Sequence, residues 1–230
     1  MRTLADLPTP LHALAMRAPD STALQVEITQ RGQMWMKPGA RPRSFTAVQR
    51  LAVDRVAFSW GARFPLLGPL ELRVVDDYDA GRGALTISIF GLPVRRQQGP
   101  ETIRGEALRY LAELPLVPPA LMRNGDLECR EIDQRRIEVA TNVLGERLAV
   151  TLELDESGNV IRASTTMREL ERDGGWRATP WGGEFRDYTQ IGPLLLPAEA
   201  EAHWGLDTGR YVYWRGRITE AALVDEPFRR

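Results

Sequence analysis

Hydrophobic and polar residues alternate along most of the chain, which is typical of β-strands with one buried face. The clearest case is residues 24–28, where Leu24, Val26 and Ile28 alternate with polar neighbours. The same period recurs at 45–49, 58–62, 70–74, 85–89, 127–132, 136–142, 147–154, 160–166, 185–190, 211–215 and 218–223. Up to residue 89 no segment between the strands is long enough for a helical crossover. The pattern therefore predicts an antiparallel meander.

Two segments follow a helical period instead. The main one predicts a helix over about residues 101–114, with Pro100 suited to its first turn and prolines after it. Its apolar residues lie on one stripe of a 3.6-residue helix: Ile103, Ala107, Tyr110, Leu111 and Leu114. A shorter helix is expected within residues 3–18, although Pro8 and Pro10 interrupt its pattern.

These elements predict an α+β fold dominated by a large, curved antiparallel sheet. We expect an open half-barrel of roughly ten strands, with the main helix covering its concave face. The chain has 230 residues, which is enough for a sizeable core. Residues 1–20 are predicted to form an N-terminal helical extension, and residues 21–230 a single half-barrel domain.

Charge and composition exclude several kinds of function. The 30 basic and 31 acidic residues give a net charge of −1, so no nucleic-acid partner is expected. Cys129 is the only cysteine and the two histidines are not in metal-binding spacing, so neither a disulfide nor a metal site is predicted. No phosphate-binding or dinucleotide-binding glycine motif is present, and we expect no cofactor. Asp76, Asp77 and Asp79 before Gly81 predict a turn between strands.

The same arguments bear on location and assembly. The first residues lack the apolar run of a signal peptide, and no 18 apolar residues follow one another. A soluble, cytoplasmic protein without a transmembrane segment is therefore expected. The sequence leaves the oligomeric state open.

Two groups of residues are candidates for a binding site. On the predicted helix, Glu106, Arg109 and Glu113 lie on one face beside Tyr110. They would orient a polar group inside a cavity, or form a solvated helix face with weak ion pairs. The aromatic residues would either line an apolar pocket or pack in the core: they are Trp35, Phe58, Trp60, Trp176, Trp181, Tyr188, Trp204 and Trp214. Near Tyr188, Pro193 and Pro197 indicate a rigid loop.

Several of these residues stand in a recognisable order. The motifs are Gln30-Arg31-Gly32-Gln33-Met34, Phe45-x-Ala47-x-Gln49, Phe58-x-Trp60-x-Ala62, and Arg109-Tyr110-Leu111-Ala112-Glu113 with Pro118. They are followed by Asp187-Tyr188, Gly192, Pro197, Trp204 and Tyr211-x-Tyr213. Over about residues 23–220 this order resembles a bacterial family of unknown function. The family's strand order is similar to that of the half-barrels of bacterial lipoprotein carriers. The resemblance therefore implies a concave apolar cavity that holds acyl chains.

The leading hypothesis is non-catalytic binding of a hydrophobic or lipid-like ligand in the concave face. The candidate ligand-binding residues are Phe58, Trp60, Arg109, Tyr110, Glu113 and Tyr188. Trp60 and Tyr110 are expected on the same side of the sheet, in one cavity or core layer. One alternative is a small-molecule enzyme with Glu113 as general base, helped by Tyr110 or Arg109. Another is a protein-interaction module that uses an open sheet edge.

Overall fold

The structure is a computed structural model that describes residues 2–19, 21–66 and 70–229. Fifteen strands lie within these ranges: β1 (Gln25–Met34), β2 (Arg43–Ala52), β3 (Ala57–Pro65), β4 (Glu71–Asp79), β5 (Arg82–Ile89), β6 (Leu92–Gln97), β7 (Glu128–Asp133), β8 (Arg136–Val143), β9 (Glu146–Leu154), β10 (Val160–Thr165), β11 (Glu169–Arg172), β12 (Gly175–Ala178), β13 (Trp181–Ile191), β14 (Leu194–Leu206) and β15 (Gly209–Val224). The α-helices are α1 (Thr9–Met16), α2 (Pro100–Ala112) and α3 (Ala120–Arg123), and short 3-10 helices cover Leu4–Asp6 and Leu114–Leu116.

Thirteen strands form one antiparallel sheet, and β11 pairs with β12 as a separate hairpin. The order along the sheet is β6-β5-β4-β3-β2-β1-β15-β14-β13-β10-β9-β8-β7. The chain therefore builds two meanders that meet where β1 pairs with β15. Between β6 at one edge and β7 at the other, the chain forms α2 and α3. This connection carries α2 across one face of the sheet, which we call the inner face.

The sheet bends around α2. The helix contacts both β5 and β9, which are nine positions apart in the strand order. In a flat sheet, nine spacings of about 4.8 Å would separate them by about 43 Å. A helix of this length extends only about 20 Å and is about 10–12 Å across. One helix reaches both strands only if the sheet curves. The strand order begins at β6 and ends at β7, which are two separate edges, so the curved sheet is open. The predicted α+β half-barrel is thus confirmed.

Alternation along the strands places one set of side chains on the inner face. On β3, Phe58, Trp60 and Ala62 are buried, and on β2 the residues in the same phase are buried while those between them are exposed. Burying one large apolar side chain contributes about 1.5–3 kcal/mol. That contribution fixes which face of each strand points inward. Trp60 and Tyr110 belong to the same apolar core.

The N-terminal helix α1 packs on this core as well. Leu11 and Leu14 are fully buried. Just after the helix, Arg17 donates to the Asn159 side chain at 2.5 Å and to the Ser157 carbonyl at 2.6 Å, in the turn between β9 and β10. The predicted boundary at residue 20 falls outside the described residues, so it stays a prediction.

A pair of glycines lets the two meanders approach closely. Gly32 on β1 lies opposite Gly216 on β15. A Cβ atom on Gly32 would overlap the carbonyl oxygen of Arg215, and one on Gly216 would overlap the ring of Trp214. Trp214 in turn stacks on Phe45, with ring centroids 5.8 Å apart. Gly32 is therefore a position inside β1 where a side chain has no room.

The structure contains more strands than the sequence pattern predicts. β6 is almost entirely exposed and has no hydrophobic alternation to detect. Pro197, which indicates a loop in the sequence, lies inside β14 opposite Tyr188. The pairing of β14 with β15 begins only at Glu199, so the missing N–H of proline removes no hydrogen bond to β15. Segments 211–215 and 218–223 are parts of one long strand, β15.

The turn predicted around the aspartates is shorter than expected. Asp76, Asp77 and Asp79 belong to β4, and the chain turns at Ala80 and Gly81. Both turn residues have positive φ angles, 49° and 73°, which is the geometry of a tight hairpin. Asp76 therefore lies within the strand and not in the turn, and its side chain is buried.

Tyr110 fixes α2 to the sheet. Its side chain is fully buried. The hydroxyl donates to the Ala52 carbonyl of β2 at 2.6 Å and accepts from Asn124 Nδ2 at 3.0 Å. One phenol thus links the helix, the sheet and the segment after α3.

Replacing Tyr110 with Phe should lower the free energy of unfolding by about 1–3 kcal/mol, because the buried Ala52 carbonyl and Asn124 amide lose their partner. Urea denaturation measures this change. Tyr211→Phe is the control, since the Tyr211 hydroxyl donates to the Trp35 carbonyl and both residues are only half-buried. Water can replace that bond, so a loss below about 1 kcal/mol is expected. Equal losses in the two variants would contradict the anchoring role of Tyr110.

Candidate functional site

A cavity of about 520 Å³ lies between α2 and the inner face of the sheet. Strands β3 and β4 border it on one side, and β13, β14 and β15 on the other. Its polar wall includes Asp76, Thr102, Glu106, Arg109, Glu113 and Arg168. Its apolar wall includes Trp60, Trp181, Ala202, Trp204, Tyr213 and Trp214. The cavity therefore has one charged side and one aromatic side.

One face of α2 supplies most of the polar wall. Thr102, Glu106, Arg109 and Glu113 follow one another at intervals of four, three and four residues, so they share one side of the helix. Thr102 and Glu106 are only 6% and 5% exposed. The helix face that the sequence leaves open as a cavity wall or a solvated surface is thus a cavity wall.

Arg109 is the centre of a buried charge network. Its Nη1 donates to Asp76 Oδ2 at 2.5 Å, and its Nε donates to Glu113 Oε1 at 2.9 Å. The guanidinium lies 4.8 Å from the ring centroid of Phe58 and 5.3 Å from that of Trp60, within cation–π range. Burial alone would lower the pKa of the Arg109 guanidinium. The negative charges of Glu113 and Asp76 have the larger effect and raise that pKa. Arg109 is a permanent cation.

Two buried glutamines extend this network to the strands. Gln49 Nε2 donates to Glu113 Oε2 at 2.5 Å, and Gln30 Nε2 donates to Gln49 Oε1 at 3.0 Å. Trp60 Nε1 donates to Gln30 Oε1 at 2.9 Å. Both oxygens of Glu113 therefore accept a hydrogen bond, one from Gln49 and one from Arg109. The carboxylate proposed as a general base in the alternative hypothesis is held in an ion pair.

Asp76 and Glu106 form a pair of buried carboxyl groups, each 5% exposed. Among the described residues, no amide, hydroxyl or guanidinium donor reaches Asp76 Oδ1 or Glu106 Oε2. Burial raises the pKa of both groups against the influence of Arg109 and Arg168. The charge of Asp76 adds to the effect on Glu106, whose pKa rises from 4.5 to about 8. Glu106 therefore keeps a proton at neutral pH and shares it with Asp76 through a hydrogen bond.

Arg168 joins the carboxyl pair to the aromatic wall. This residue precedes β11, and its Nη2 donates to Glu106 Oε1 at 3.3 Å. Its guanidinium carbon lies 4.2 Å from the ring centroid of Trp181 and 5.8 Å from that of Trp204. Trp181 Nε1 donates to the Tyr213 hydroxyl at 3.0 Å. Arg168 Nη1 is buried and has no acceptor in the described part of the chain, so one donor remains unused.

The hairpin of β11 and β12 borders the cavity. Glu169 accepts from Arg104 on α2 at 2.6 Å. Glu171 accepts from Arg95 on the edge strand β6 at 3.2 Å. Trp176 adds a ring to the cavity wall. Ion pairs thus tie the hairpin to the helix on one side and to the sheet edge on the other.

The structure divides the six candidate residues into two groups. The residues that line the cavity are Trp60, Arg109 and Glu113. The residues that pack in or against the core are Phe58, Tyr110 and Tyr188. The Phe58 ring packs against the Arg109 guanidinium, whereas the Tyr188 hydroxyl donates to the Val160 carbonyl at 2.9 Å. A binding role for any of the six stays a prediction.

Sequence reasoning missed several residues of the cavity wall. Asp76 is one of them, yet it lies between Val74 and Tyr78 in the inward phase of β4. A charged residue in the buried phase of a strand is the signal that could have identified it. Gln49, which donates to Glu113 behind the wall, is likewise a polar residue in the buried phase of β2. Arg168 lies outside the strands, and no pattern in the sequence points to it.

Among the described residues, neither a thiol nor a cluster of metal ligands contributes to the cavity. Cys129 is half-buried in β7, and burial raises the pKa of its thiol. In residues 2–19, 21–66 and 70–229, no three His, Cys, Asp or Glu side chains are placed to hold a metal ion. No helix in those ranges has the length and apolar character needed to cross a membrane.

The carboxyl pair predicts how stability depends on pH. Folded Glu106 keeps a proton up to about pH 8, whereas in the unfolded chain it loses that proton near pH 4.5. Raising the pH between these values therefore favours unfolding, by at most about 1.4 kcal/mol per pH unit. Glu106→Gln should reduce this decline to the part that buried Asp76 causes, as urea denaturation between pH 5 and 8 would show. Identical pH profiles for the variant and the wild type would contradict the protonated pair.

Solved structures resemble the chain only distantly. A LolA superfamily protein, NE2245, from Nitrosomonas europaea is 11% identical, with a TM-score of 0.47 over 95% of this chain and 94% of that chain. A DUF1329 family protein from Desulfovibrio piger is 8% identical, with a TM-score of 0.37 over 95% and 93% of the two chains.

The family to which the chain belongs follows from a match to its sequence. None of the curated proteins matches the chain. The model of a family of unknown function, DUF6544, matches residues 1–216, which confirms the family resemblance predicted from the motifs. The chain is a member of this family of unknown function.

Proposed function

We propose that the protein binds a small amphiphilic molecule, with a lipid-like apolar part and a polar head, in the cavity between α2 and the inner face. The observation that carries the proposal is the cavity itself, about 520 Å³ with an aromatic side and a charged side. Small-molecule sites usually have volumes of about 300–1,000 Å³ and combine apolar walls with a few polar groups. This cavity meets both conditions.

The aromatic side suits an apolar chain. Trp181 and Trp204 lie 6.4 Å apart between ring centroids, and Trp204 lies 6.3 Å from Tyr213. Each methylene group moved from water onto such a surface contributes about 0.8 kcal/mol. A short alkyl chain would therefore bind here through its buried area alone.

The charged side suits a polar head. The described residues contain six buried side-chain polar atoms without a partner, and four of them belong to residues of the cavity wall: Asp76, Thr102, Glu106 and Arg168. Leaving such an atom unpaired costs about 1–3 kcal/mol. A ligand head that supplies the missing partners would recover part of this energy.

Small side chains keep the space open. Ala202 points inward from β14 and is only half-buried, although its neighbours Trp181 and Trp204 are buried. A larger residue at this position would occupy part of the cavity. The alanine therefore offers a direct way to fill the proposed site.

Ala202→Phe should weaken binding of an uncharged fluorescent long-chain alcohol at least about tenfold, because the new ring displaces the alkyl chain. Fluorescence titration measures the affinity. Native mass spectrometry and organic-solvent extraction of the purified wild-type protein would show whether a ligand is already bound.

Ala222→Phe is the matched control, since Ala222 lies exposed on β15 outside the cavity wall. It should bind the probe as the wild type does. Circular dichroism would verify that both variants fold. Equal affinities for the two variants, or no binding of the probe to wild-type protein stripped of lipid, would overturn the proposed function.

A further inference from the structure

We infer that the head of the ligand is a primary ammonium group, which binds between Asp76 and Glu106 in exchange for the proton that the two carboxyl groups share. This inference rests on the proposed function and adds the chemical class of the head group. The ligand would then be an aliphatic amine with its chain on the aromatic wall.

The charges of the cluster favour a cation. Three acidic side chains meet here, namely Asp76, Glu106 and Glu113. Two basic side chains oppose them, Arg109 and Arg168. With every group ionised the cluster would carry one excess negative charge inside the protein, which is strongly unfavourable. One proton, or one bound cation, brings the charge to zero.

The unpartnered atoms match an ammonium group in number and kind. An ammonium group has three N–H donors and no acceptor. Three oxygens in the cavity wall receive no amide, hydroxyl or guanidinium donor from the described residues: Asp76 Oδ1, Glu106 Oε2 and Thr102 Oγ1. Each belongs to a side chain more than nine-tenths buried. Thr102 lies one helical turn before Glu106 on the same face of α2, and Asp76 borders the same cavity from β4.

The arginines already present cannot supply the missing donors. Arg109 is held by Asp76 Oδ2 and Glu113 Oε1 and lies against the rings beneath it. Arg168 is held by the other oxygen of Glu106 and by Trp181. Arg109 thus engages one oxygen of Asp76, and Arg168 engages one oxygen of Glu106. The second oxygen of each carboxyl group remains for a proton or a ligand.

The exchange conserves the charge of the cluster. In the free protein, the proton lies between Asp76 and Glu106. When an ammonium group enters, that proton leaves to solvent, and the nitrogen donates to both carboxylates. The groups that face the pair are Arg109 on α2, Glu113 at the end of α2, Arg168 before β11, and the neutral Tyr213 hydroxyl on β15.

An anionic head would fit this cluster poorly. It would add a negative charge to a group that is neutral only when protonated. Among the described residues, the buried donors of this cavity wall without a partner are Arg168 Nη1 and the Thr102 hydroxyl. Arg168 Nη1 is better suited to an uncharged oxygen next to the amine nitrogen. The observations therefore favour an amine over a fatty acid.

Three ligands with the same chain test the inference: decylammonium, decanol and decanoate. An alkylammonium stays charged well above neutral pH, as lysine does. The deprotonated fraction of the pair rises about tenfold for each pH unit below its pKa. Decylammonium should therefore bind about tenfold more tightly at pH 7 than at pH 6. Calorimetry in two buffers of different ionisation heat should count about one proton released per amine, whereas decanol should release none.

Glu106→Gln imitates the protonated state and cannot release the proton. In this variant the decylammonium affinity should fall at least about tenfold and lose its pH dependence, whereas the decanol affinity should fall by a much smaller factor. Glu220→Gln is the matched control, because Glu220 lies exposed on β15 outside the cavity wall. It should bind both ligands as the wild type does.

Each outcome separates this inference from the proposed function. If decanol binds but decylammonium binds no better and releases no proton, the inference is wrong and the proposed function stands. Preferential binding of decanoate would also overturn the inference. If none of the three ligands binds, the proposed function fails. The pH profile and proton count on wild-type protein decide the matter even if Glu106→Gln does not fold.

Discussion

Burial of the Arg109 guanidinium is the constraint on which the arrangement of this protein depends. A charge removed from water must find opposite charges and hydrogen-bond acceptors nearby, and removing one partner of such a pair typically costs about 3–5 kcal/mol. Asp76 on β4 and Glu113 at the end of α2 supply them. Gln49 on β2 donates a hydrogen bond to Glu113, and Gln30 on β1 donates one to Gln49. The helix is thereby fixed to three strands through polar contacts.

Polar anchoring explains why space remains beneath the helix. Apolar side chains on α2 and the sheet would interdigitate at the density of an organic crystal and leave few gaps. Long charged side chains hold the helix at a distance, because their heads must meet at fixed hydrogen-bond lengths. Arg109 and Arg168 also cover the faces of Trp60 and Trp181. These rings therefore belong to the charge network as well as to the apolar wall.

The sequence predicts the fold better than the site, and the reason is the range of the interactions involved. The alternation of hydrophobic and polar residues indicates which face of a strand is buried. The apolar stripe that includes Tyr110 indicates the buried side of α2. Neither pattern states which distant residue a polar side chain will meet. Gln49 and Glu113 are 64 positions apart, and Arg168 and Glu106 are 62 apart. Asp76 shows the limit clearly: its phase on β4 reveals that it is buried, but only the folded chain brings it to Arg109.

The pairing of β1 with β15 has a consequence for the order of folding. Gln25 lies opposite Val224, so two central strands of the sheet come from opposite ends of the described chain. During synthesis, β1 to β6 emerge first and keep an unpaired edge at β1 until the last strand has left the ribosome. Such distant pairing slows folding and exposes a strand edge to other chains. The nascent chain thus spends most of its synthesis with the middle of its sheet open.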